Sequence, residues 1–212
     1  LTSPAAEFRR AADPGRLVQL ADSLGLSVPS LRHLGIGWSE SHRAWSFPMT
    51  NAAGSVLGIR LRRWNGFKFS VAGGKEGLFI PAITKGDSSA LLICEGPTDT
   101  AALLDLGFAN VVGRPSCTGG IKLLAEFVMR RERRDVVIVA DADEPGRRGA
   151  DDLASVLVAF AASVRVVQPP AGIKDARDWL RAGATRVDVE QAIKEMQVRR
   201  LTVRSVLVTE GS

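Results

Sequence analysis

The spacing of apolar positions gives the chain two textures that meet near residue 90. From Ala44 to Ile80 apolar residues fall in short runs (WSFPM, VLGIRLRRW, FKFSV and LFIPA), separated by the turn signals NAAG and Asn65-Gly66. That pattern predicts a small antiparallel meander. Upstream, PGRLVQLADSLGL repeats its leucines at helical spacing behind an N-cap, Asp13, with Pro14 at the first helical position, and PSLRHLG reads as a second short helix. From Ala90 onward, apolar runs alternate with amphipathic stretches. ALLICEG, NVVG, DVVIVA and SVRVVQ read as strands, and PTDTAALLDLG, GGIKLLAEFVMRR and PGRRGADDLASVLVAFAA as the helices that follow the first three. Such alternation predicts an α/β fold with a mainly parallel sheet flanked by helices on both sides. DARDWLRAG and VDVEQAIKEMQVRR supply two more helices, and residues 83–89 (ITKGDSS) read as a linker. The expected division is an α+β subdomain with a meander at 1–86, an α/β domain at 87–185 and a helical tail at 186–212.

A chain of 212 residues accommodates one sizeable domain with a smaller one packed on it. No long apolar stretch is free of charge, and LTSPAAEFRR lacks the order of regions of a signal peptide, so the expected setting is cytoplasmic, with no membrane partner. Cys94 and Cys117 are the only cysteines and form no CxxC, and His33 and His42 show no ligand spacing, which excludes a zinc module built from this chain. There is no tyrosine. The net charge of +5 is concentrated: Arg60, Arg62, Arg63, Lys68 and Lys75 lie between Asn51 and Lys75 with no acid among them, and the rest of the chain balances. A concentrated basic patch points to a polyanion, nucleic acid or nucleotide.

The candidate chemistry sits where apolar runs end in carboxylates. VVIVADADEPG closes a buried strand with Asp141 and Asp143, and LLICEG closes another with Glu95. If the extended backbone persists through Asp143, both aspartates point to one face; the alternative is a turn in which Asp143 or Glu144 caps the next helix. In open α/β sheets ligands bind outside the carboxyl ends of the strands. If the two strands are neighbours, the three acids converge there. Oxygen donors without sulfur or imidazole suit magnesium or manganese, with phosphate oxygens in the remaining positions.

CEGPTDTAAL followed by VADADEPGRRGADDLA resembles a Toprim domain, the metal-binding fold of bacterial-type primases, topoisomerases and several small nucleases. Glu95-Gly96, Asp99, Asp141 and Asp143 match its signature residue by residue. FPMTNAAGSVLGIRLRRWNGFKFSVAGGKEGLF resembles the subdomain that precedes Toprim in phage primase-helicases and bacterial replicative primases, and IKDARDWL resembles their late acidic motif. The resemblance covers roughly residues 27–180. It implies a primase catalytic core that joins ribonucleoside triphosphates into short RNA primers on a single-stranded DNA template, in the nucleoid or in phage or plasmid replication. It implies Glu95, Asp141 and Asp143 as catalytic metal ligands, Asp175 as a further ligand, and Asp99 and Asp178 as outer support. Arg60, Arg62, Arg63, Lys68 and Lys75 would bind template and nucleotide. A replicative helicase or a zinc-module partner is implied because the chain has neither a zinc module nor a P-loop, and its abrupt ends fit excision from a longer protein.

Two rivals use the same residues. A Toprim nuclease needs the acids and has no use for the basic meander. A non-catalytic single-strand-binding adaptor gains nothing from three anions beside DNA. A self-sufficient topoisomerase is excluded, because strand passage in that family needs a tyrosine. Trp64 and Phe67 are open between core positions and stacking platforms for template bases.

Overall fold

The computed structural model describes residues 3–82, 90–130 and 134–201, so the expected linker and the end of the tail lie outside the described residues. Three short helices open the chain: α1 (Pro4–Arg10), α2 (Pro14–Leu24) and α3 (Val28–His33). Each has a side-chain N-cap, from Ser3, Asp13 and Ser27 respectively, and each has proline in its first turn. Only α1 is unforeseen, because PAAEFRR buries no residue and so carries no helical apolar stripe.

The meander is a four-stranded antiparallel sheet in the order β1-β2-β3-β4, formed by β1 (Gly37–Ser39), β2 (Ala44–Thr50), β3 (Val56–Arg62) and β4 (Lys68–Ser70). Trp45, Phe47 and Met49 of β2 are buried against the leucines of α2 and α3 and against Ala101 and Ala102. Opposite Trp45 and Phe47 in the register stand Arg62 and Arg60, and Lys68 pairs with Arg62. Period two therefore sets these three cations on one face of the sheet. LFIPA forms no regular strand; Leu78 bridges Thr50, and Phe79 bridges Gly113 with reciprocal N–H to carbonyl bonds of 2.8 and 2.9 Å. That second bridge joins the antiparallel sheet to the other half of the molecule.

The second sheet is parallel, in the order β6-β5-β7-β8, with β5 (Leu91–Glu95), β6 (Val111–Arg114), β7 (Asp135–Val139) and β8 (Ser163–Val167). Leu91 and Ile93 face the cluster formed by α5 (Ile121–Met129) and α6 (Glu144–Leu157), while Leu92 and Cys94 face α4 (Gly96–Asp105), α7 (Ala176–Arg181) and α8 (Arg186–Glu195). Burial on both faces is why these strands read as unbroken apolar runs. Gly113 is required by packing: a Cβ there would sit 2.3 Å from Thr100 Oγ1 and 2.7 Å from the Gly96 carbonyl, so only glycine lets α4 lie this close to β6. Among the described residues no helix is long and apolar enough to cross a membrane.

Candidate active site

The chain leaves β5 for β6 on one side and reaches β7 on the other, so a crevice opens between the carboxyl ends of β5 and β7. Glu95 ends β5 and is the N-cap residue of α4, yet its carboxylate makes no capping bond; Gly96 turns the chain with φ +75°. Asp141 follows β7 on a segment pinned from both sides. The Ala140 N–H bonds the Val167 carbonyl at 2.9 Å, and the Ala142 N–H bonds the Lys174 carbonyl at 2.7 Å. Asp175 caps α7, accepting the Asp178 N–H at 2.8 Å.

These elements enclose a cavity of about 230 Å³. Glu95, Asp141 and Asp175 line it from the half of the parallel sheet, and Arg60, Arg62 and Lys68 from the antiparallel sheet. Lys174 and Arg177 also reach it, and Asp99 contributes from α4. One compartment therefore has an acidic wall and a basic wall.

Like charges are crowded on each wall. Burial, then the neighbouring charges of Glu95, Asp175 and Asp143, push Asp141 up to about 7, against the pull of Lys174. Asp99 is held well above the usual carboxylate range by burial, with Asp175 and Asp141 adding, although the Arg177 N–H works the other way. On the basic wall, burial pulls Lys68 down, and Arg62, Arg177 and Arg60 push in the same direction against Asp99. Arg62 is lowered by burial and by Arg177. Guanidinium groups remain charged regardless, so these cations repel one another. The Nε atoms of Arg60 and Arg177 are buried with no hydrogen-bond partner. Glu76 offers Arg60 one distant contact at 3.8 Å, so the patch has an acid just beyond its sequence boundary.

Not every expected residue reaches the cavity. The strand ends at Val139, so the extended backbone does not carry Asp141 and Asp143 to one face. Asp143 is instead the N-cap of α6, its Oδ1 accepting the Gly146 N–H at 2.8 Å, and it does not line the cavity. Helix start signals override the strand's alternation here, with Pro145 in the first turn of α6. Asp178 lies outside too, at 3.8 and 3.9 Å from Arg177 and Arg181. Arg63 lies over the rings of Phe67 and Phe69, and Lys75 is exposed and does not line the cavity.

Among the described residues no three His, Cys, Asp or Glu side chains are drawn together closely enough to form a metal cluster. The donor chemistry nevertheless fits a hard divalent cation. Glu95, Asp141 and Asp175 offer only oxygen, and Asp141 is surrounded by negative charge that one lysine incompletely offsets.

Sequence reasoning missed three cations. Lys174 and Arg177 flank Asp175 and Ala176 and both line the cavity, Arg177 through the docking of α7 against α4. Arg114 pairs with Glu95 in the β5–β6 register, is buried, and donates to the Gly149 carbonyl at 2.9 Å. Its only sequence signal is a cation at the end of an apolar run, the mirror of the signal that exposed Glu95.

Residues 90–185 match the family model of the Toprim domain. No curated protein matches the sequence. Among solved structures, the zinc-binding and RNA polymerase domains of the Aquifex aeolicus primase are similar at a TM-score of 0.70 with 16% identity, over 92% of this chain and 60% of that one. The E. coli primase catalytic core is similar at 0.67 with 15% identity, over 92% and 78%. The primase fragment of the bacteriophage T7 primase-helicase is similar at 0.64 with 21% identity, over 80% and 72%. The chain thus has the fold of primase cores and spans about three fifths of the Aquifex chain.

Proposed function

We propose that this chain, which carries a Toprim domain within a primase-core fold, is the catalytic core of a DNA primase. The observation that carries the reading is the single cavity with carboxylates from the ends of β5 and β7 on one side and Arg60, Arg62 and Lys68 on the other. A nuclease would need only the acidic half. The subdomain at 1–86, the Toprim domain at 87–185 and the tail at 186–212 are the proposed units.

Glu95 and Asp141 would hold a magnesium or manganese ion, with Asp175 as a further ligand and Asp143 supporting from the rim. A bound divalent cation supplies neutralisation of phosphate oxygens and a lower pKa for the attacking hydroxyl. The chain's own residues do the rest. Arg62, Lys68 and Arg177 take the triphosphate of an incoming ribonucleotide, relieving their mutual repulsion as it binds. Asp99 positions the start of α7, and with it Asp175 and Arg177. Positioning and electrostatic stabilisation of the phosphates account for most of the catalysis.

The template would be single-stranded DNA; a similar primase catalytic domain is described as bound to it. A replicative helicase or a zinc module is the partner to look for, since similar structures join primase to helicase or to a zinc-binding domain. Incubation with labelled ribonucleoside triphosphates, magnesium or manganese, and mixed-sequence single-stranded DNA tests the reading. Short RNA products that vanish in Asp141→Ala support it. Template cleavage without synthesis would replace it by the nuclease, and salt-sensitive binding without either reaction by the adaptor.

A further inference from the structure

The turns β1–β2 and β3–β4 lie at the same end of the antiparallel sheet, and Ser41, His42, Arg43, Arg63, Trp64 and Asn65 line a notch between them. Two large aromatic rings are exposed at this end. Trp64 is 49% exposed and Phe67 58%, whereas the other three tryptophans are at most 5% exposed. Neither ring is loosely held. Trp64 meets the buried Trp45 edge to face at 5.7 Å, and Phe67 stacks on Phe69 at 5.7 Å. The turn that carries them is closed by the Arg63 N–H to the Phe67 carbonyl at 3.0 Å and by the Phe67 N–H to Asn65 Oδ1 at 3.1 Å.

The charge beside the rings is positive. The Arg63 guanidinium lies 5.2 Å from the Phe69 ring and 6.0 Å from that of Phe67. Arg43 stands across the notch with φ +47°, a left-handed backbone rare for a non-glycine residue and frequent at binding turns. Glu40, the acid of the β1–β2 turn, already accepts the Trp38 indole N–H and pairs with Arg16 at 3.3 Å. One residue before Arg63, Arg62 enters the acid-lined cavity, so a single hairpin carries residues of both the notch and the cavity.

Rigid, half-exposed rings interleaved with arginines are what unstacked bases on a phosphate backbone recognise. We propose that this end of the sheet is a stacking platform for the single-stranded template, with bases on Trp64 and Phe67 and phosphates on Arg43 and Arg63. The site rests on the primase reading for the identity of the strand, and on its own geometry for the mode of binding.

The test is anisotropy with a labelled short oligothymidylate, beside an abasic oligomer of the same length and an RNA–DNA hybrid, together with tryptophan emission. Trp64→Ala and Phe67→Ala are each expected to weaken oligothymidylate binding by roughly 5- to 100-fold while leaving the abasic oligomer unaffected. Arg63→Ala weakens both and lowers the salt slope by about one. Trp64→Phe restores most of the binding and removes the quenching of emission that oligothymidylate causes in the wild type. Should Trp64→Ala lower the melting temperature by losing Trp45, Phe67→Ala carries the test. Equal affinity for the abasic oligomer, or unchanged binding in both ring variants, overturns the platform even if primers are made. Preference for the hybrid overturns the assignment to template. Ring-dependent binding without primer synthesis keeps the platform and fails the primase reading instead.

Discussion

The Asp99 carboxylate accepts the backbone N–H of Arg177 at 2.9 Å, tying the first turn of α4 to the first turn of α7 across 78 residues. Both ends of this bond serve the cavity. Asp175, two residues before Arg177, lines the acidic wall while capping α7, and the Arg177 side chain reaches the same cavity.

Asp99→Ala should therefore act at a distance. It leaves a buried N–H without its acceptor, at a cost of about 1–3 kcal/mol, and lets the start of α7 drift. Primer synthesis should fall with it. Asp99→Asn keeps an acceptor for Arg177 and removes a buried charge, so it should melt no lower than the wild type. Thermal melting beside primer synthesis checks both; an alanine variant as stable as the wild type would show that the bond does not hold α7.

Asp141 opposes folding in the metal-free protein, since burial and three neighbouring acids act against its charged form. Asp141→Asn should raise the melting temperature without metal, and magnesium or manganese should stabilise the wild type much more than the variant. Synthesis should drop by on the order of 10³-fold, the effect of several kcal/mol of lost electrostatic stabilisation. Scanning calorimetry over a metal titration reads the first part. Identical metal responses would remove Asp141 from the ligand set.

Asp143 separates capping from charge. Serine caps a helix about as well as aspartate, so Asp143→Ser should keep the melting temperature. It also deletes one of the negative charges near Asp141, and synthesis should fall about 10- to 100-fold. Asp143→Ala should lose the cap as well, at about 1 kcal/mol. If the serine variant makes primers at the wild-type rate, Asp143 is a cap and nothing more.

The contrast between Asp141 and Asp143 shows where the sequence was legible. Glu95 and Asp141 are visible because buried parallel strands are unbroken apolar runs, and a carboxylate that ends one marks the ligand edge of the sheet. Asp143 is ambiguous in the same stretch, since DADEPG satisfies a strand ending and a helix start equally; geometry resolves it as a cap. Arg62 and Lys68 are legible as a strand face, and their partner across the cavity is not. Arg177 joins them only because α7 docks on α4, and Arg114 meets Glu95 only because β6 pairs with β5. Likewise the Phe79–Gly113 bridge, which brings the basic sheet to the acidic edge, is a contact of two backbones that no side-chain pattern encodes. Period and punctuation reveal elements; the meeting of distant elements is a property of packing.

The basic wall yields the last prediction. Arg62, Lys68 and Arg177 repel one another in the absence of an anion, so removing one of them should not destabilise the free protein. Arg62→Ala and Lys68→Ala should thus melt within a few degrees of the wild type, or above it. Each loses a charge-assisted contact to phosphate worth about 1.5–3 kcal/mol, so the apparent KM for ribonucleoside triphosphate should rise roughly 10- to 100-fold. A contact made equally to substrate and transition state leaves kcat unchanged, whereas one formed as the phosphoryl group transfers lowers kcat as well. Lys68, which feels the charge of Asp99, should show the second pattern, and Arg62, whose charged neighbour is Arg177, the first. Steady-state primer synthesis with varied nucleotide at saturating template separates them. If both variants keep the wild-type KM and kcat, the basic wall serves something other than the triphosphate.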